Sequence, residues 1–376
     1  MSPIGSTIKG NLSIVLDVVK YSSVLVYPIT MILLIMYGIE SLFWLPILMI
    51  MAISIADCFS HKVYGSSIES DSSDVFWKLP LWLFVPLQVA LIFFACNYFV
   101  ETQLGAINTV FLSLSTGLIL GTFGITVAHD LLHVKGFCRF MAIVCLLPVN
   151  YAHLIIQHVF GHHVWVATPK DPSSAPYGMS LYKFFFKSVG LSYVDAWKHE
   201  TSRWQRNENR KMSEHRMIPL TAVTILFNIV MYSLFGLNGY IFFLVTSFIG
   251  LSCLEVTNYL QHYGLERKKN QRGVYEPMSD KFAWNSTGSI SRYPFVNMQM
   301  HGDHHTNPSR SYQSLTISSS APVLPFSNPI MFMLALIPPL FFRIMNPRVL
   351  SLGESHESEL TSKRKGLEND QLGKIS

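Results

Sequence analysis

The sequence predicts an all-α membrane protein, with about six transmembrane helices carrying a histidine-rich cap on the cytoplasmic side. Three observations carry this reading. Half of the 376 residues are hydrophobic and only 14% are charged, against roughly a quarter charged in an ordinary soluble domain. The apolar residues come in blocks near the ~20 residues that cross a hydrocarbon core. The basic residues are confined to alternate connections, the pattern of a chain whose cytoplasmic face is set by positive charge.

In chain order the spans fall at about 21 to 39, 42 to 57, 79 to 100, 107 to 128, 217 to 236 and 240 to 257. Lys9 and Lys20 flank an N-terminus without a small-residue cleavage pattern, so the first span reads as retained. Of 28 Lys and Arg, eleven lie between Lys135 and Arg216 and seven between Arg267 and Arg310, whereas the turns after the first, third and fifth spans carry none. The segments after spans two, four and six are therefore expected in the cytoplasm, with both termini on that side and the cytoplasmic membrane as the default location, or the endoplasmic reticulum in a eukaryote.

The apolar run 140 to 156 reads as a re-entrant or interfacial helix broken near Pro148 rather than a seventh span. Residues 164 to 185 are Pro- and Gly-rich and read as an ordered loop. The stretch 323 to 345 is apolar but interrupted by prolines, which suits a segment on the membrane surface. From Ser351 the chain turns polar and charge-mixed, so residues 1 to 350 read as one membrane-embedded domain and 351 to 376 as a disordered tail. Cys58, Cys96, Cys138, Cys145 and Cys253 form no CxxC pair and read as buried thiols of a membrane protein, not as a disulfide frame or metal ligands.

Nine of the fourteen histidines fall into four groups: His129 and His133; His158, His162 and His163; His262 alone; and His301, His304 and His305. Spacings of three or four place imidazoles on one side of a helical turn, where both can reach one ion. With no thiolate nearby the set is all nitrogen, suited to iron, zinc or copper rather than to an iron–sulfur centre. Nine ligands are too many for one ion, and the count points to two. His61, His153, His199, His215 and His356 lie outside any clustered spacing and read as structural.

His129-Asp-Leu-Leu-His133, Gln157-His-Val-Phe-Gly-His-His163, Asn258-Tyr-Leu-Gln-His-Tyr-Gly-Leu265 and the run His301-Gly-Asp-His-His-Thr-Asn-Pro-Ser-Arg-Ser-Tyr-Gln-Ser-Leu315 resemble the histidine boxes and HYG motif of the integral-membrane alkane 1-monooxygenases. These are non-haem diiron proteins related to xylene monooxygenase, membrane fatty acid desaturases and fatty acid hydroxylases. Val166-Ala-Thr-Pro-Lys-Asp-Pro172, Trp284-Asn-Ser286 and Ile337-Pro-Pro339 extend the resemblance over roughly residues 20 to 350. It implies a desaturase-like helical fold and a catalytic cap in which His129, His133, His158, His162, His163, His262, His301, His304 and His305 hold two irons. It further implies O2 as co-substrate and electrons from rubredoxin, itself reduced by an NAD(P)H-dependent rubredoxin reductase. The implied reaction is hydroxylation of the terminal carbon of an alkane or alkyl chain to a primary alcohol.

The chain departs from the family pattern where it carries Gln157, Gln261 and Asp130, each a glutamate in most members. An amide holds no negative charge, so two anions that could orient or polarise imidazoles are replaced. Asp171 and Asp303, inside family-like motifs, are the stronger candidates for that work. Glu255, Asn258 and His262 form one stripe on the sixth span, and an acid inside a membrane segment is a functional candidate by default. The other reading of Glu255 is an interfacial acid reaching water or pairing with Arg267. Arg203, Arg206 and Arg210 share a helix face that would suit an acidic electron carrier, or would merely fix topology.

The same metal site would also serve a fatty acid or acyl-lipid hydroxylase, a desaturase or an aryl-methyl monooxygenase. A histidine-rich metal transporter would instead want ionisable residues deep in several spans, where Glu255 stands nearly alone.

Overall fold

The computed structural model describes residues 14–64, 75–208 and 211–354, so the sequence expectations for Lys9, Arg210, His356 and the tail from 355 lie outside the described residues. Helices dominate, and the only β pairing among the described residues is two isolated bridges, Lys269 with Tyr275 and Asn285 with Val323, within the irregular segments that follow α8. Five helices are long and apolar enough to cross a membrane: α1 (Ile14–Met36), α2 (Glu40–Phe59), α3 (Val75–Glu101), α4 (Ala106–Leu132) and α8 (Met217–His262). Between α4 and α8 come α5 (Phe137–Val149), α6 (residues 154–165) and α7 (Leu181–Gln205). After α8 follow α9 (His301–Thr306), α10 (Asn328–Ala335) and α11 (residues 338–354).

The 46 residues of α8 contain the fifth and sixth spans of the sequence reading. At Gly236 the backbone leaves the helix at φ 61°, a left-handed value that glycine adopts without a Cβ penalty. The chain reverses there. The Tyr240 hydroxyl donates to Asn228 Oδ1 at 3.0 Å and the Phe227 and Phe243 rings lie 5.8 Å apart, whereas twelve residues of continuous helix would separate the first pair by about 18 Å. We call the arms α8a, residues 217–235, and α8b, residues 237–262.

Two close approaches lock the bundle. A Cβ on Gly121 of α4 would fall 2.4 Å from the Gly250 carbonyl oxygen of α8b, and one on Gly117 would fall 2.6 Å from Ile249. Small residues thus let the helix carrying His129 lie backbone to backbone against the helix carrying His262, as in other membrane bundles. Within the run 140 to 156, α5 is a short apolar helix that packs back on α4 and ends in a 3-10 turn at Leu147–Val149 containing Pro148, the residue at which the sequence predicts a break. Asn150 follows at φ 55°, and its side chain bonds to Ser247 and Asn228 of both α8 arms. The prolines of 323 to 345 leave two short helices broken near Ile337, with α10 packed on α2 and α8. Of the five cysteines expected to be buried, Cys96, Cys138, Cys145 and Cys253 are, whereas Cys58, in the last turn of α2, is exposed.

Candidate metal centre

Each histidine group sits where the local backbone is unusual. α4 passes through a π-helical stretch at Ile119–Gly124 before its last two turns, which carry His129 and end on His133. α6 contains a second π stretch, Gln157–His162. Such i→i+5 turns are rare and are frequently found at functional sites. α8b ends on His262, and Gly264 at φ 71° turns the chain so that its N–H meets the Ala175 carbonyl. α9 carries His301, His304 and His305 in little more than one turn. Its approach is fixed by Asn285, whose Oδ1 accepts the Gly302 N–H at 3.0 Å, and by Trp284, whose indole donates to the Tyr263 carbonyl at 2.9 Å.

All nine histidines come together, in two adjoining groups. His129, His133, His158, His163 and His304 form one; His162, His262, His301 and His305 form the other; within each, one nitrogen per ring lies within 4.8 Å of all the rest. The division does not follow sequence spacing throughout. His129 with His133 and His301 with His305 share a group as the four-residue spacing suggests. His158 and His162, also four apart, are parted by the π stretch, which brings His163 over His158 instead, their Nε2 atoms 2.9 Å apart.

The Nε2 of His304 lies 3.1 Å from that of His163, and in the second group His301 Nε2 lies 3.1 Å from His262 and 2.9 Å from His305. Two nitrogens at right angles about an ion roughly 2.1 Å from each would stand roughly 3.0 Å apart. The donor set therefore fits two metal ions. Burial, reinforced by neighbouring imidazoles, holds His158, His163, His301, His304 and His305 well below the ordinary imidazole range, and burial and Arg139 bring His133 to about 4. Neutral rings offer lone pairs, which a metal requires.

The candidate outer residues divide by what they touch. Asp171 Oδ2 lies 2.8 Å from His162 Nδ1 and accepts the Ser174 hydroxyl at 2.6 Å, leaving His162 Nε2 turned to the group. Burial works against charge on Asp171, yet the His162 ring and the hydrogen bonds from His162 and Ser174 keep it below the ordinary carboxylate range. This is the carboxylate–histidine arrangement that orients a ligand and raises its basicity.

The two amides act as donors. Gln157 Nε2 gives to Ser173 Oγ and Gln261 Nε2 to the Met298 carbonyl, each at 3.3 Å. A carboxylate at 261 would face that carbonyl with no proton to offer, which accounts for glutamine there. Asp130 lies toward the Tyr312 backbone and Lys78. Asp303 bonds Arg310, Asn307 and the Thr316 N–H, bracing the loop after α9.

Glu255 is fully buried and accepts the Tyr151 hydroxyl at 2.9 Å. Pairing with Arg267 does not occur, because that guanidinium bonds the carbonyls of Val164, Val166 and Glu276. Arg203 is drawn, together with Arg216, onto the buried Glu200, while Arg206 stays exposed. His153, His199 and His215 stand outside both groups, His199 beside Asp195 and His215 beside Thr201. Sequence reasoning assigned no role to Tyr151, Ser174, Trp284 or Asn285, although Trp284 and Asn285 lie in a quoted motif.

Beside the metal groups lies a cavity of about 300 Å³. His129, His158 and His301 border it at one end, and Ile47, Ile50, Leu114 and Leu118 lie among the apolar side chains that extend it into the bundle. The fatty acid desaturase family model matches residues 107–333, which include all nine histidines. The chain is 33% identical to alkane 1-monooxygenase 2 of Alcanivorax borkumensis over 79% of its own length and 78% of the relative's. It is 31% identical to alkane 1-monooxygenase of Ectopseudomonas oleovorans over 84% and 79% respectively. The chain belongs to the alkane 1-monooxygenase family. More distantly, at 27% identity over 80% of the chain and 79% of the relative, it is similar to the xylene/toluene monooxygenase hydroxylase component of Pseudomonas putida. Membership makes this alkane 1-monooxygenase relative an oxidoreductase of the membrane, with histidine groups compatible with a metal centre.

Proposed function

We propose that this protein hydroxylates the terminal carbon of an alkane or alkyl chain to the primary alcohol, using O2 and two irons held by the nine histidines. The apolar cavity bordered by histidines of both groups carries this reading. An alkane offers no hydrogen-bond handle, so it binds by leaving water, at about 0.8 kcal/mol per buried CH2. The cavity lining among the described residues includes Thr122, Thr126, Asn258 and Gln261 near the histidines but no Lys or Arg, which favours an uncharged chain over a free carboxylate.

Bound iron supplies the activation of dioxygen and the attack on an unreactive C–H bond. The chain's residues do the rest. Asp171 holds the His162 ring in place, Leu118, Ile125 and Phe295 keep water from the chain end, and the bundle admits substrate from lipid. Electrons arrive one at a time from rubredoxin and its NAD(P)H-dependent reductase, with exposed Arg206 part of the docking face.

Residues 1–350 act as one catalytic domain with six crossings, α8a and α8b counting separately, and the metal side faces the cytoplasm. Cysteines at exposed Tyr177 and Glu101 should then label from opposite sides. The deciding experiment supplies iron-loaded protein with rubredoxin, reductase and separate panels of alkanes, xylenes and fatty acids. Primary alcohols from alkanes support the proposal. Products from xylenes alone would replace it with aryl-methyl hydroxylation, and protein that binds zinc or copper and yields no oxygen-dependent product would end it.

A further inference from the structure

A line of buried polar side chains leads away from the cavity at Asn258. Asn258 lines the cavity, and one helical turn back on α8b its side chain lies against the carboxyl of Glu255, as i and i+3 positions do. Glu255 Oε1 accepts the Tyr151 hydroxyl, while Oε2 has no protein partner among the described residues. The hydroxyls of Ser188 and Ser192, from α7, sit beside the Glu255 carboxyl and the Tyr151 hydroxyl respectively, and neither makes a well-formed hydrogen bond among the described residues. The Tyr151 ring lies 4.1 Å from the buried His153 ring, whose Nε2 is likewise unpartnered. His153 in turn meets the ring of Tyr193 at 5.1 Å, and the Tyr193 hydroxyl, 3.1 Å from Thr221 Oγ1, belongs to a residue 39% exposed.

A bundle of this kind seldom leaves several buried polar atoms unpaired in one place, and each such atom costs about 1–3 kcal/mol unless water satisfies it. Here the atoms form a sequence from the metal cavity to the surface. The overall reaction consumes one O2, one alkyl C–H bond, two electrons from the carrier protein and two protons, and yields an alcohol and water. The cavity lining supplies no acid of its own among the described residues. We propose that Glu255, Tyr151 and His153 form the proton path of this enzyme, with Tyr193 and Thr221 as its outlet, Asn258 as its end at the cavity, and water between them. The proposal rests on the monooxygenase reading. It also assigns a role to His153, which its spacing marks as structural.

The test is a single turnover, in which chemically reduced, iron-loaded protein is mixed with O2 in weak buffer and proton uptake is followed with an indicator dye. Product, peroxide and iron content are measured alongside. Glu255→Gln, Tyr151→Phe and His153→Phe should each keep their iron and slow proton uptake by roughly ten- to a hundred-fold. Each should also show a larger solvent deuterium isotope effect on uptake and more peroxide per alcohol, and Glu255→Asp should restore part of the rate. Should Glu255→Gln lose iron, Tyr151→Phe decides, since it removes only a hydroxyl. Iron-loaded Tyr151→Phe and His153→Phe with wild-type uptake and isotope effect would overturn the path. Wild-type protein that takes up protons quickly yet forms no alcohol from any alkane would instead overturn the monooxygenase reading and leave the path standing.

Discussion

The two histidine groups are unequal, and the inequality is instructive. The five-nitrogen group takes its members from α4, α6 and α9, and His133 and His163 keep some exposure; the four-nitrogen group takes its members from α6, α8b and α9, and all four are buried. Among the described residues only the smaller group contains a histidine with a carboxylate behind it, His162 on Asp171. An ion with six places would have more of its shell free at the smaller group, where ligand orientation is also more tightly controlled. The group with more donors is thus the less enclosed, and the group with fewer is the more rigidly held.

The largest expected effect sets the groups directly against each other. His162→Ala leaves three nitrogens in its group and should lower iron to about one per chain, whereas His163→Ala leaves four nitrogens and should keep nearly two. Both should lose turnover, so metal analysis rather than activity separates them, and equal iron loss would mean that the nine ligands act as one pool. Next comes the backing carboxylate. Asp171→Asn should weaken one metal by roughly 10–100-fold in chelator competition and leave the other unchanged. Equal weakening of both would remove the distinction drawn here.

A smaller and shared effect is expected at the contact that joins the groups' parent helices. Gly121→Leu would drive side-chain atoms into the Gly250 backbone, with overpacking of this kind costing about 1–3 kcal/mol. Thermal unfolding should fall, and iron should leave both groups together rather than one first. The smallest effect lies away from the metals, in the cap. Burial alone would raise Glu200, but Arg203 and Arg216 hold it down from 4.5 to about 2. A folded value below the unfolded one stabilises the fold above pH 4.5, and that stabilisation disappears as pH falls toward 2. Glu200→Gln should therefore flatten the acid limb of stability, followed by the fluorescence of nearby Trp204, without touching iron content at neutral pH.

Much of this was legible in the sequence, for identifiable reasons. The nine histidines stood out because their spacings are those of helical turns, and the spans because apolar blocks of membrane length are rare by chance. The break read between the apolar blocks 217 to 236 and 240 to 257 falls where the α8 arms reverse at Gly236. Asp171 was recoverable from its motif. The division of the histidines was not, because a four-residue spacing assumes α-helix and nothing in Gln157-His-Val-Phe-Gly-His announces an i→i+5 turn. Nor was the partner of Glu255 legible, since Tyr151 lies 104 residues away and no local pattern links them. The role of Gln261 needed the Met298 carbonyl opposite it, a feature of backbone placement.

The π turn in α6 carries a consequence for chain length. An i→i+5 turn holds one residue more than an α-helix would need to cover the same course. Were Val159 or Phe160 deleted, the stretch could relax to ordinary helix, with all nine histidines still present. His158 and the former His163 would then stand four apart and remain aligned, but everything after them would be drawn back by one residue, and the former His162 would follow His158 by three. The Asp171 loop, tied to that histidine, would be pulled out of register with its own anchors. The length of α6, and not only the identity of its histidines, therefore sets which rings meet in each group.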